Sequence, residues 1–283
     1  MSEQAGSVRT SWRRWSLIFL LAFGFRLLYL YIVQANPFFD SPVVDAQTYH
    51  EQALALVKSW TEAPSPTVAS PGEVFWQPPL YPYFLAGLYW LLGVSFWKVR
   101  LVQAGLGSLT CVLASELASR RISARAGWLT GLLLAGYGPL LFYDGELLVP
   151  VLSLLLDTAA LLVWLGARDG TPGKRRIGLT GLLLGLSVVA RPTVLLFAGG
   201  LGLVLLLERG RSLSQRLARI LVLSLSLLLP ILPVTLHNWR AAEAEGVPVS
   251  ERLILVSSNG GINFYLGNQA DYASTVGIRP GIG

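Results

Sequence analysis

The chain has 283 residues, of which 53% are hydrophobic and only 13% charged, and its mean hydropathy is +0.56. Soluble domains carry roughly 25% charged residues, and several apolar runs approach the roughly 20 residues that cross ~30 Å of hydrocarbon. An ordinary soluble domain is excluded; the fold class is an all-α polytopic membrane protein. The net charge of +6 is distributed as short basic clusters between apolar runs. That is the pattern of membrane orientation, and with no basic face to track a phosphate backbone, no nucleic-acid partner is expected. The single Cys111 lies inside an apolar run, so neither a disulfide framework nor a cysteine metal site is available.

In chain order, residues 1–15 carry Arg9, Arg13 and Arg14 and read as a cytoplasmic N-terminus. Residues 16–35 form the first transmembrane helix. This run exceeds a signal-peptide core, and Val33-Gln34-Ala35 fits a cleavage site poorly, so it reads as an uncleaved anchor. Further apolar segments fall at about 80–97, 100–119, 125–143, 147–166, 177–190, 193–207 and 218–236. Basic clusters separate them at Arg120/Arg121/Arg125, Arg168/Lys174/Arg175/Arg176 and Arg209/Arg211/Arg216/Arg219. Lys and Arg resist translocation. If 80–97 crossed the membrane, parity would put all three clusters outside. If it does not cross, they join the N-terminus inside, and 14 of the 22 Lys and Arg become cytoplasmic. The second arrangement is preferred: a large external region at 36–99 with interfacial helices, six further transmembrane helices within 100–236, and an external segment at 237–283.

Within the external region, Tyr49, Ala53, Leu56, Val57 and Trp60 recur at i, i+4, i+7, i+8 and i+11, which predicts a helix over 46–60 lying flat on the membrane. Asp45 takes the N-cap position, with Val44 and Tyr49 as a hydrophobic staple. Residues 61–75, with Pro64, Pro66 and Pro71, read as an external loop. The segment 80–97 carries Tyr81, Tyr83, Tyr89, Trp90 and Trp97, suited to an aromatic belt at the interface.

Ionisable groups at membrane depth are functional candidates. Arg26 and Asp157 lie near the middle of their spans, and similar depth with opposite charge predicts an interhelical ion pair. Glu116 precedes Arg120 by four residues, an ordinary i,i+4 pair. The turn Phe142-Tyr143-Asp144-Gly145-Glu146 places two carboxylates outside, either solvated or directed into the same cavity as Asp45. The short helices that meet at Arg191-Pro192 mark a thinned place open to the outer side. There Arg191 either grips a phosphate with paired hydrogen bonds or snorkels to the interface. Gly181 and Gly185 are spaced for close helix packing. Asn259-Gly260-Gly261 reads as a turn.

SPVVDAQTYHEQA, FWQPPLYPYFLAGLYWLLG, VRLVQAGLGS, YGPLLFYDGELLVPVL, GLLLGLSVVARP and SSNGGINFYLGNQ together resemble, in order and spacing, the bacterial polyprenyl-phosphate-dependent glycosyltransferases of the GT-C fold. The likeness is to the protein O-mannosyltransferase and aminoarabinose-transferase relatives of family 39. The resemblance implies a GT-C-like helix bundle in the bacterial cytoplasmic (inner) membrane with an active site on the periplasmic side. It implies transfer of one sugar from a polyprenyl-phosphate donor to a lipid, glycan or protein acceptor. It also implies that Asp45, or less favourably Asp40, is the catalytic base, that Tyr49 shapes the pocket, that Glu146 and secondarily Asp144 orient the donor or bind a metal, and that Arg191 faces the lipid phosphate. The cofactor is left open: Asp and Glu favour a divalent cation such as Mg²⁺ or Mn²⁺, but no ligand spacing compels one. Relatives often carry Arg-Asn in place of His237-Asn238, and they continue through more spans, so the chain is expected to be truncated. Competing functions are a lipid or solute transporter and a non-catalytic assembly subunit. A transporter usually shows repeated sets of spans, and none is visible here.

Overall fold

The computed structural model describes residues 2–61, 73–166 and 172–269. Most of the proline-rich stretch at 61–75, Arg168 and Asp271 lie outside the described residues. The described chain is helical, without strands: α1 (Ser2–Val33), α2 (Asp45–Thr61), α3 (Leu80–Leu92), α4 (Phe96–Arg121), α5 (Ala124–Ala135), α6 (Gly138–Gly145), α7 (Pro150–Leu165), α8 (Lys174–Ala190), α9 (Val194–Leu206), α10 (Leu213–Ala244) and α11 (Gly260–Asn268). By length and composition, Ser11–Val33, Phe96–Arg121 and Leu213–Ala244 suffice to cross a membrane, and the pair α5–α6 adds a fourth crossing if counted as one bent span. Helices α7 and α9 have 16 and 13 residues, about 24 and 20 Å of helix.

Side-chain contacts fix the direction of the helices. Near the start of the apolar part of α1, Ser11–Val33, Arg14 donates to Ser119 Oγ at 2.6 Å and pairs with Glu116, close to the end of α4. Twelve residues on, Arg26 reaches Cys111, two turns earlier in α4. The two helices therefore run antiparallel, and everything between them, α2 and α3 included, begins and ends at one end of the bundle. The basic clusters gather at the other end. Gly166 lies beside the guanidinium groups of Arg120 and Arg176, Arg219 donates to the Pro172 carbonyl, and Arg120 forms its i,i+4 pair with Glu116 at 2.6 Å.

Four local expectations are corrected. The stripe on α2 packs in part against α3: Tyr49 and Ala53 are buried with Tyr81, Leu85 and Tyr89, while Trp60 stays exposed. Helix α3 thus has two faces, Tyr83 and Trp90 exposed and Tyr81 and Tyr89 enclosed, and Trp97 already belongs to α4. The expected span 125–143 breaks at Gly136-Tyr137 with a 53° bend. Pro139, at the first turn of α6, has no N–H with which to continue the ladder. Gly260-Gly261 opens α11 in place of a turn.

Helices α8 and α10 pack through Gly181 and Gly185. A Cβ on Gly185 would overlap the Leu227 carbonyl and stand 2.7 Å from Pro230 Cγ. Backbone cannot yield as a side-chain end can, so Gly185→Val is expected to lower stability by about 1–3 kcal/mol. The midpoint of unfolding in detergent measures this; an unchanged midpoint would mean that the helices separate without cost.

Candidate active site

Asp45 stands at the first position of α2, one residue inside the helix start. The residue before it, Val44, occupies the left-handed region with φ 54°, and its carbonyl accepts both the backbone N–H and the hydroxyl of Thr48. A β-branched residue in that region costs on the order of 1–3 kcal/mol, and such strain gathers at functional sites. The expected cap is therefore corrected. Val44 holds the capping place with its side chain 69% exposed, no staple forms, and the Asp45 carboxylate turns away from the helix amides. Its Oδ1 accepts a hydrogen bond from Gln77 Nε2 at 3.1 Å, and the group stays exposed.

One turn on, Tyr49 is buried edge-on against Tyr81, with ring centroids 5.1 Å apart. Burial, and then the Asp45 charge, push its phenol up to about 12, so at neutral pH it is a hydrogen-bond donor. On the same helix, His50 Nδ1 shares a hydrogen bond with Tyr89 OH at 2.8 Å, and its ring meets Phe96 edge-on. Burial lowers the His50 pKa below the ordinary 6.5, against an opposing effect of Glu51. The unfolded chain then binds the proton more readily, so stability present above about pH 6.5 is lost as pH falls through that value toward the lower folded one. The thermal midpoint is expected to drop between about pH 7.5 and about pH 5.5, and to drop less in His50→Gln. Equal slopes in both proteins would remove His50 from the α2–α3 contact.

A second polar centre lies at the start of α4. Arg100 is only 2% exposed. Its Nε donates to the Gly145 carbonyl at 2.7 Å, its guanidinium lies 3.8 Å over the Phe39 ring, and its Nη1 reaches no partner. The carboxylates whose charges act on it are Glu146 first and Asp40 second. Gln103, fully buried, accepts from Tyr81 OH at 2.6 Å and donates to the Asp144 and Glu146 carbonyls at 2.9 and 2.7 Å. Tyr81 is thus the hinge between Asp45–Tyr49 on one side and Arg100–Glu146–Asp40 on the other.

Asp144 goes elsewhere. Its carboxylate is 4% exposed and pairs with Arg26 Nε at 2.7 Å, both side chains enclosed between α1, α4 and α6. The expected Arg26–Asp157 pair is corrected accordingly, and so is the alternative that put Asp144 in solvent or in an external cavity. The carboxylate is turned inward because Gly107 opens a slot for it: a Cβ there would overlap Asp144 and stand 2.7 Å from Arg26 Nε. Asp157 instead lies near Ser187 of α8 and Arg191 just past its end, with its Oδ1 unpartnered. Arg191, exposed at the end of α8, shares none of the described contacts of Asp45 or Glu146.

The strap Glu73–Pro79 brings Gln77 to Asp45. It is held by fully buried Asn238 of α10, whose Oδ1 accepts Phe75 N–H at 3.0 Å while its Nδ2 donates to the Ile254 and Val256 carbonyls, both at 3.1 Å. His237 stacks on Phe75 at 4.4 Å and bonds the Glu73 carbonyl. Between strap, α2 and α3 lies a largely apolar cleft of ≈ 190 Å³ that includes Gln77, Tyr83 and His237. A second hollow, sharing Phe75, Tyr83 and His237, continues it toward Val189 and Pro233. Among the described residues no three His, Cys, Asp or Glu side chains converge on a cation position. The charges of Glu146 and Asp40 act on Arg100.

Sequence reasoning did not single out Arg100, Gln103, Gln77 or Asn238. A signal existed for the first two: Arg100, Gln103 and Gly107 sit at i, i+3 and i+7, on one face of α4.

A membrane-embedded helical bundle with a carboxylate, a buried arginine and an apolar cleft at one end suits an enzyme that works on a lipid-linked substrate. The chain is a membrane glycosyltransferase: the family model for dolichyl-phosphate-mannose-protein mannosyltransferase matches residues 76–237, more than half of the 283, and the chain belongs to that family. The matched stretch contains Gln77, Arg100, Gln103, Asp144, Glu146 and Arg191 and begins after Asp40, Asp45 and Tyr49. No curated protein and no solved structure matches the chain.

Proposed function

We propose that the chain transfers a sugar from a polyprenyl-phosphate donor to the hydroxyl of a lipid, glycan or protein acceptor at the outer face of a bacterial cytoplasmic membrane. In this reading residues 16–35 and six segments within 100–236 span the bilayer, and the end of the bundle bearing α2, α3 and the strap faces the periplasm.

The observation that carries the proposal is the presentation of Asp45. A strained Val44 turns the carboxylate off the helix, Gln77 fixes it, and Gln77 lines the cleft. Asp45 takes the proton of the acceptor hydroxyl as its oxygen attacks the anomeric carbon. The bond from that carbon to the phosphate oxygen breaks, and its electron pair leaves with the polyprenyl phosphate. Tyr49, a donor at neutral pH, shapes the wall behind Asp45. Glu146 and Asp40 orient donor hydroxyls, with the charge of Arg100 close enough to act on both carboxylates. Asp144 acts as a positioning group, since through Arg26 and the carbonyl given to Gln103 it fixes the turn that bears Glu146. Arg191 meets the departing phosphate only if the donor reaches across from α4 to the end of α8; otherwise it serves Asp157.

The test is to incubate membranes bearing the protein with a polyprenyl phosphate carrying a radiolabelled sugar and to follow label into lipid, glycan and protein fractions. Transfer above membranes lacking the protein is expected. Label that stays on the donor with every acceptor fraction would end the enzyme reading.

A further inference from the structure

At the end of the bundle opposite Asp45, the beginnings of α8 and α10 converge on a hollow of ≈ 550 Å³ whose walls include Gly173, Lys174, Arg211, Ser214, Gln215 and Arg219. Three of these are cations, and none of the described lining residues is acidic. The carboxylate of Glu208, outside the lining, is shared by two guanidiniums, 2.7 Å from Arg211 Nε and 3.3 Å from Arg219 Nε. Arg219 is the telling group. It is 5% exposed, its Nη2 is tied to the Pro172 carbonyl at 2.9 Å, and its Nε makes no hydrogen bond of good geometry with Glu208. A guanidinium so enclosed and so incompletely matched is costly to keep, and an anion in the hollow would offset that.

The backbone adds to the field. Helix α8 starts at Lys174 with no side chain capping its first amides, and its Gly173 lines the hollow. Helix α10 also opens there, although Ser212 and Gln215 close its capping box. Unfilled amides at a helix start carry partial positive charge and take anions readily. The uncapped start of α8 and three cationic side chains around one cavity favour a tetrahedral oxyanion over a carboxylate, since they approach from several sides.

We infer that this hollow is a binding site for a phosphoryl anion, independent of the sugar-transfer site. The shared chemistry has two sources: the phosphodiester headgroup of an anionic lipid, which the position at the basic end of the bundle would reach, or a free phosphate.

The experiment uses the purified full chain in detergent, with native mass spectrometry of retained lipid and thermal unfolding as the two readouts. The probes are phosphatidylglycerol, phosphatidylethanolamine as the zwitterionic control, and inorganic phosphate. The informative variant is Gln215→Glu. Glu serves the third position of a capping box as well as Gln does, so α10 keeps its start while a negative charge enters the hollow. Wild type is expected to retain phosphatidylglycerol at least about tenfold better than phosphatidylethanolamine, the scale of one or more charge-assisted hydrogen bonds, and Gln215→Glu to lose that preference with an unchanged thermal midpoint. If inorganic phosphate alone raises the midpoint of wild type and not of the variant, the site reads free phosphate. Equal retention of both lipids together with no phosphate effect, or preferences that Gln215→Glu leaves intact, would overturn the inference. Sugar transfer is not measured, so failure here and failure of the enzyme reading are separate outcomes.

Discussion

Asp144→Ala is expected to cost about 3–5 kcal/mol, because it leaves the Arg26 guanidinium, 1% exposed, without its counter-charge. Few membrane bundles tolerate such a loss, so the protein should be recovered in low yield or with a sharply lowered unfolding midpoint. The cause is the lone buried charge and not the missing volume, which the double variant Arg26→Met/Asp144→Leu separates. Apolar replacement of a whole buried pair is often neutral, so the double variant should regain most of what the single one loses. Gly107→Ala should resemble Asp144→Ala, since even one methyl would displace the carboxylate from its slot. If Asp144→Ala folds like wild type, the pair is dispensable and the turn bearing Glu146 is held by Gln103 and Arg100 alone.

Asp45→Asn is expected to lower sugar transfer by about 10²- to 10⁴-fold, the range that a positioned general base contributes. Stability should barely change. The group is exposed, Asn keeps its shape, and the amide oxygen can still accept from Gln77. A loss of activity with an intact unfolding curve separates chemistry from folding, which Asp144 variants cannot do. The partner variant Gln77→Ala should cost less, because it removes the orienting hydrogen bond and leaves the base.

Much of this architecture is legible in the residues. Apolar runs mark the three helices long enough to cross a membrane, the i, i+4, i+7 stripe places α2, and the basic clusters gather at one end through Arg14, Arg120, Arg176 and Arg219. The sugar-transfer chemistry rests on a resemblance in ordered short stretches, and the family match agrees with it at the level of a membrane glycosyltransferase. Other features are not legible. Nothing in the local pattern around Val44 announces a left-handed valine, because a capping aspartate is the cheaper local solution and only the tertiary contact to Gln77 turns it aside. Pairing at membrane depth is likewise a question of three-dimensional neighbours. Arg26 and Asp157 match in depth, but the slot at Gly107 decides for Asp144. Asn238 stands in a polar tetrapeptide past an apolar run, where sequence cannot reveal that it joins the strap, α10 and the segment 254–256.

The measurement that bears most directly on the proposed chemistry is label transfer by sealed vesicles of known orientation, made with wild-type protein and with Asp45→Asn at matched amounts of folded protein. The expected result is transfer by wild type when the α2–α3 end faces the donor and acceptor, little from the opposite orientation, and at least about a hundredfold less from Asp45→Asn in either. Full activity of Asp45→Asn, or transfer confined to the orientation that presents Arg120 and Arg176, would contradict it.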